Sequence, residues 1–170
     1  MKKKRSNFLR DLKAGNKAEQ CVADLFTSAG FPSSIDKEAR IAHDVISEYK
    51  QTHFTTEVKF DAYEARSGNV AIEVFNTRSC TPSGITATRA FFWAHVLQGN
   101  VVWLTTVDIL KDYIDRVSPK RIIDSGGDDN ASLYLYSSAA ILPSAFTRID
   151  TMKPDKLRAF IHEHMEQNND

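Results

Sequence analysis

The polar and apolar positions of this chain change period along its length, and each change marks an element. From Asn16 to Ala29 the apolar residues Ala18, Cys21, Val22, Leu25, Phe26 and Ala29 recur at helical spacing, and Gly30 follows as a stop. This predicts an amphipathic helix whose Glu19 borders the apolar stripe and so reaches the edge of a buried region. Beyond Pro32, Ser33 and Ser34, the segments Ile41–Glu48 and His53–Phe60 are rich in Val, Ile, Thr and aromatics. They predict a β-hairpin turning through Tyr49–Thr52. Between Asn69 and Asn76, Val70, Ile72 and Val74 alternate with Ala71, Glu73 and Phe75, the period of a third strand.

Thr77–Gly84 has the composition of a loop, and Thr86–Leu97 carries Ala87, Ala90, Phe91, Ala94 and Leu97 on one helical face. After Gly99-Asn100, Val101–Leu104 is a short strand of the buried kind, and Thr106 is the expected N-cap of a helix running to Val117. Asp124–Asn130 is a polar loop, Ser132–Ser137 a strand, and residues 153–170 a C-terminal helix opening at Pro154, with Leu157, Phe160, Ile161 and His164 on one stripe. This order predicts an α/β domain with a mixed central β-sheet flanked by helices.

Composition narrows the class. A chain of 170 residues with 42% hydrophobic content is expected to form one domain, residues 1–170. Lys plus Arg and Asp plus Glu are both 22, so net charge points to no polyanionic partner. The basic run Lys2, Lys3, Lys4 and Arg5 makes residues 1–7 a flexible basic arm, either merely solvated or in contact with a phosphate backbone. Cys21 and Cys80 have no CxxC spacing, which excludes a zinc ribbon or disulfide scaffold and suits a reducing cytoplasm. No apolar segment follows the basic start and no window approaches about 20 apolar residues, so a soluble cytoplasmic protein without a membrane partner is expected.

The candidate chemistry sits on the hairpin. Asp44 lies near the start of one strand, and Glu57 and Lys59, two apart on the next, share a face. Burying such groups costs several kcal/mol unless charges pair or a metal binds. Two carboxylates suit Mg²⁺, which polarises a phosphate and acidifies a bound water, while a lysine positions that water or stabilises developing charge. The backbone carbonyl of Val58 is a natural extra ligand. Glu-x-Lys alone is more often a solvated cross-strand pair, but here it lies in an apolar strand beside an Asp and a helical Glu.

These residues resemble a known family. Lys13-Ala14-Gly15-Asn16-Lys17-Ala18-Glu19, continuing through Leu25 to Gly30-Phe31, is similar to the opening helix of archaeal Holliday-junction resolvases and related PD-(D/E)xK nucleases. Those proteins then present the Asp and the Glu-x-Lys on a hairpin, an order matched here by Glu19, Asp44, Glu57 and Lys59 as far as about residue 60. Asn69–Val74 and Pro82–Thr86 look like segments of phage-encoded members, for which the compartment is the host cytoplasm. The resemblance implies a restriction-endonuclease-like fold and Mg²⁺-dependent hydrolysis of DNA, with Mn²⁺ able to substitute. It also implies that Glu19 supports a second metal or its surroundings, and that Ser33 or Ser34 lies near the scissile strand. The leading substrate is a four-way or otherwise branched DNA, whose symmetric cutting requires a homodimer. Apolar residues on the Thr86 helix or the C-terminal helix would supply that interface. An exonuclease, a restriction-type endonuclease, and a catalytically silent DNA-binding protein are the alternatives.

Several further residues are placed by the same reasoning. Glu73 is either an accessory metal ligand or solvent-facing. Ser83 and Gly84 precede the expected Thr86 helix and could offer amides to a phosphate, with Arg89 a turn on; an ordinary loop and cap is the other reading. His43 points away from Asp44 and is structural, while His53 and His95 are surface or interface residues, and no HxH or HExxH supports zinc. Phe91, Phe92 and Trp93 are core or dimer contacts, not a base-stacking platform, and Gly126-Gly127-Asp128 is a turn, not a phosphate loop.

Overall fold

The computed structural model describes residues 2–38, 43–126, 130–149 and 153–167. Helix α1 (Lys2–Ser28) leads into β1 (Ser33–Ile35), β2 (Val45–Tyr49) and β3 (Thr52–Asp61). A short α2 (Glu64–Ser67), β4 (Asn69–Asn76), β5 (Thr81–Pro82) and a 3₁₀ turn at Gly84–Thr86 come next. There follow β6 (Phe92–Leu97), β7 (Val101–Thr106), α3 (Val107–Arg116), β8 (Arg121–Gly126), β9 (Ala131–Ser137), α4 (Ser138–Ala145), β10 (Thr147–Ile149) and α5 (Pro154–Gln167).

The main sheet has six strands in the order β1-β2-β3-β6-β7-β10. It is mixed because β3 and β6 run parallel while the other neighbours are antiparallel. Alternation along its strands divides the interior in two. Phe54 and Val58 of β3, Phe92, Ala94 and Val96 of β6, and Val102 and Leu104 of β7 face α1 and α5, forming one core with Val22, Phe26, Leu157 and Ile161. Trp93 and Leu97 face the other way. There they meet Val70 and Ile72 of a second, antiparallel sheet (β5-β4-β9-β8) together with Leu110 of α3 and Ile141 of α4. The expected mixed sheet flanked by helices is therefore present, with a second sheet added on one side.

The largest correction concerns Thr86–Leu97, expected as a helix. Phe92–Leu97 is instead the central strand β6, buried on both faces, preceded by the 3₁₀ turn. A strand buried on both faces is a continuous apolar run, and period alone does not separate it from a buried helix. Helix α1 starts at Lys2, not Asn16, so the basic run expected as a flexible arm is drawn into its opening turns. The sequence before Asn16 carries no apolar stripe, and within it Leu9 and Leu12 are exposed. Strand β2 starts at Val45; positions 41–42 of the expected strand lie outside the described residues, as do 127–128 of the expected Gly126-Gly127-Asp128 turn. Asp124–Gly126, expected in a loop, ends β8. The strands and helices at Asn69–Asn76, Val101, Val107 and Pro154 stand close to where periodicity put them, and the Thr106 hydroxyl caps α3 by accepting from the Ile109 N–H at 3.1 Å. The surfaces proposed for a dimer are gone: Phe92 to Leu97 and Leu157, Phe160, Ile161 and Met165 are buried within the chain itself.

Gly84 holds the 3₁₀ turn against β4 at φ +55°, and a Cβ there would press into the Glu73 carbonyl. Gly84→Ala is expected to destabilise the fold by about 1–3 kcal/mol, read as a lower urea midpoint with an unchanged slope. An unshifted midpoint would show that the turn does not approach β4 this closely.

Candidate active site

Strand β3 carries three charged residues on one face. Glu57, Lys59 and Asp61 alternate with Val58 and Phe60, and in register beside them on β6 stand Trp93, His95 and Leu97. The charged row thus lies on the side of the second core, while Val58 faces α1. Asp44 reaches the same place from β2. Its N–H donates to the Thr56 carbonyl at 3.0 Å, and its carboxylate accepts from the Val58 N–H at 2.7 Å. The side chain therefore takes over where the β2 ladder runs out. In an extended strand a residue's N–H and C=O point to the same side, so the Val58 carbonyl faces this edge too.

Glu57 is only 8% exposed. Its Oε1 lies 2.7 Å from the Lys59 Nζ, and its Oε2 accepts from the Thr88 hydroxyl at 3.3 Å. Burial pushes the Glu57 carboxyl up, the neighbouring Asp44 charge adds to this, and Lys59 only partly reverses it, leaving a value above the ordinary one. Burial draws the Lys59 ammonium down, but Glu57, with Asp44 and Glu73 behind it, more than compensates and holds it above its ordinary value. Lys59 also stands 6.0 Å above the Trp93 ring. Glu19, half-buried on α1, is raised by burial and then by the Asp44 charge, with Glu57 adding and Lys59 opposing.

A cleft of about 1000 Å³ opens over this group, lined by Glu19, Asp44, Val58, Lys59 and Glu73, with Glu57 beneath the surface. Of the four residues of the expected centre, Glu19, Asp44 and Lys59 line this cleft and Glu57 is ion-paired to Lys59 beneath it, while the half-buried Glu73 is also part of the lining. Ser33, Ser34, Ser83, Gly84 and Arg89 do not line it. Ser33 bonds the Ser47 hydroxyl and the Phe31 carbonyl, each at 2.7 Å. Ser83 and Gly84 belong to the 3₁₀ turn, so the helix N-terminus that was to hold a phosphate does not exist, and Arg89 is an exposed side chain between the buried Thr88 and Ala90. Lys2, Lys3, Lys4 and Arg5 occupy the first turns of α1. His43 pairs with Asp36 at 3.2 Å, a structural role, and His53 is exposed.

His95 corrects the expectation most sharply. It is 1% exposed, not a surface residue, and its Nε2 lies 3.5 Å from the Asp61 Oδ2 at the back of the cleft. Asp61 is pushed up by burial, but the His95 ring and the N–H groups of Tyr63 and Ala71 more than reverse this, leaving it below the ordinary carboxylate value. The period of two continues from Glu57 and Lys59 to Asp61, a signal present in the sequence. His95 was hidden by its assignment to a helix, and Thr88 by its place in a loop.

No protein-family model and no curated protein sequence matches the chain. Among solved structures, the bacterial homing endonuclease I-Ssp6803I aligns over 59% of this chain and 71% of its own at 15% identity, with a TM-score of 0.48. Hjc, a Holliday junction resolvase from the archaeal hyperthermophile Archaeoglobus fulgidus, aligns over 79% of this chain and 91% of its own at 10% identity, with a TM-score of 0.45. By its own topology and cleft, the chain is an α/β protein with a mixed central sheet and a carboxylate–lysine group at the end of its antiparallel hairpin. Among the described residues no helix is long and apolar enough to cross a membrane, and no three His, Cys, Asp or Glu side chains are close enough to hold a metal ion.

Because Glu19 binds its proton more tightly in the folded state, its ionisation weakens the fold as pH rises through the window above about 4.5, its ordinary value. Glu19→Gln is therefore expected to melt higher than the unaltered protein at pH 7 without divalent ions, the gap closing below about pH 4.5. A lower melting temperature at pH 7 would mean that a cation already compensates Glu19.

Proposed function

We propose that this protein is a metal-dependent nuclease that hydrolyses DNA phosphodiesters in the cleft over Asp44, Glu57 and Lys59. The observation that carries this reading is the placement of the buried Glu57–Lys59 pair, 2.7 Å apart, beside Asp44, which is fixed on the Val58 N–H at 2.7 Å, at a cleft that Glu19 also lines. Among the described residues no three His, Cys, Asp or Glu side chains converge, so the fit to a divalent cation such as Mg²⁺ or Mn²⁺ rests on donor type: two carboxylates, one backbone carbonyl and water, all hard oxygens. Asp44, Glu57 and the Val58 carbonyl would hold it, with Glu19 at a second position. When bound, the ion polarises the phosphate and acidifies water.

The remaining roles belong to the chain's own groups. Lys59, kept charged by Glu57, presents an ammonium at the cleft surface that orients the attacking water or neutralises charge developing on the phosphate. Thr88 fixes the second Glu57 oxygen, and the backbone N–H of Val58 fixes Asp44. The overlap of that Asp and Glu-x-Lys order with the resolvases favours branched DNA within the nuclease class. Paired incision of a four-way junction would then use two copies of the chain.

Asp44→Ala or Lys59→Ala is expected to lower Mg²⁺-dependent cleavage of DNA by roughly 10²-fold or more with little change in circular dichroism. Supercoiled plasmid, linear duplex and synthetic junctions assayed together report the substrate. Cleavage that survives both substitutions sinks the assignment, and DNA binding without cleavage at any Mg²⁺ or Mn²⁺ concentration makes the chain a binding protein.

A further inference from the structure

The mouth of the cleft differs in charge from its floor. The floor holds carboxylates, while exposed cations line the cleft from two walls built by separate elements: Arg10 and Lys17 of α1 on one, and Arg66 of α2 on the other. Arg10 and Lys17 are seven residues apart and so share a helix face. Arg10 also meets Asp11 at 3.1 Å, an exposed pair of the weak kind that a phosphate displaces readily.

The second wall carries an aromatic. Tyr63 is 57% exposed at the cleft rim, and the Arg66 guanidinium lies 5.0 Å over its ring. The ring is exposed, but the backbone that carries it is held from below. Asp61 Oδ1 accepts from the N–H of Tyr63 at 2.8 Å and of Glu64 at 3.0 Å, and Gln98 donates to the Ala62 carbonyl at 2.8 Å. The buried Asp61–His95 pair thus anchors a flat, cationic platform beside the carboxylate–lysine group. Aromatic platforms flanked by arginine recognise bases whose faces are free, which paired and stacked duplex bases are not.

We propose that the two walls grip one DNA strand, Arg10 and Lys17 holding its phosphates while Tyr63 and Arg66 stack an unpaired base, so that the substrate carries a splayed single-stranded segment. The inference rests on the nuclease reading for the cut but not for the grip. The cations at the rim meet the strand before the carboxylates do, and the platform sets which form of DNA seats well.

Binding of fluorescent oligonucleotides is measured by anisotropy in an Asp44→Asn background, so that no cleavage intervenes. Tyr63→Ala is expected to weaken binding of a forked duplex and of a single strand about 10-fold while leaving blunt duplex unchanged, and Tyr63→Phe to bind all forms like its parent. Arg10→Gln with Lys17→Gln should weaken every form and lower the salt slope by about two. Unchanged affinity of Tyr63→Ala for the fork, at an unchanged melting temperature, overturns the platform, and tighter binding of the matching RNA strand overturns the assignment to DNA. Tyr63-dependent binding by a protein that never cuts DNA leaves the grip standing and removes the nuclease reading. Cleavage of the fork by an otherwise unaltered Tyr63→Ala protein at full rate and affinity does the reverse.

Discussion

A carboxylate and an ammonium lying 2.7 Å apart between two β-sheets govern much of what surrounds them. Glu57, left unpartnered at its depth, would cost about 3–5 kcal/mol, so the buried carboxylate depends on the ammonium beside it. The pair is not symmetrical. Glu57 is almost wholly enclosed, whereas the Lys59 side chain is 37% exposed and opens on the cleft. Thr88 completes Glu57 from a loop that the six-stranded sheet positions, and Trp93 in the next strand supplies a face for the ammonium. The polar groups therefore depend on an apolar setting that keeps competing water away.

The strand period carries this constraint outward. Because β3 alternates, the residues between the charges, Val58 and Phe60, anchor the strand against α1, and the same alternation on β6 sets His95 beside Lys59. The early end of β2 matters as much. Asp44 stands where the ladder stops, so its carboxylate satisfies a backbone N–H that a longer strand would have covered, and the edge left open becomes the cleft. Glu19 enters from the far side of the sheet on a helix whose apolar stripe is locked into the first core. A helix and two neighbouring strands thus bring carboxylates to one edge, where burial first, and then the charge of Asp44, raises Glu19 and Glu57 together.

Asp61 plays a different part from its neighbours on the row. Where Glu57 is matched to a mobile cationic side chain, Asp61 is matched to a buried ring and to backbone amides, which hold its carboxyl below the usual range. Such a carboxylate is a structural anchor: it ties the end of β3 to the turn before α2 and to β4. The reactive part of the cleft and the part that shapes its rim are built from consecutive members of one strand face.

Local pattern determined the hairpin, the third strand, the Thr106 cap, the C-terminal helix and the shared face of Glu57 and Lys59, because each depends on residues within a few positions of one another. It also brought Asp44 and Glu19 into view through the order of a resembled family. What it left open depended on burial. Phe92–Leu97 is apolar throughout, and only enclosure between two cores makes it a strand instead of a helix. The same enclosure turned His95 from an expected surface residue into the partner of Asp61, and removed the faces expected to form a dimer. The sequence by itself determined which residues could act together. Tertiary structure decided which of them meet at one cleft, since the distance between groups far apart in the chain is set by how strands pair and which face of the sheet each core covers.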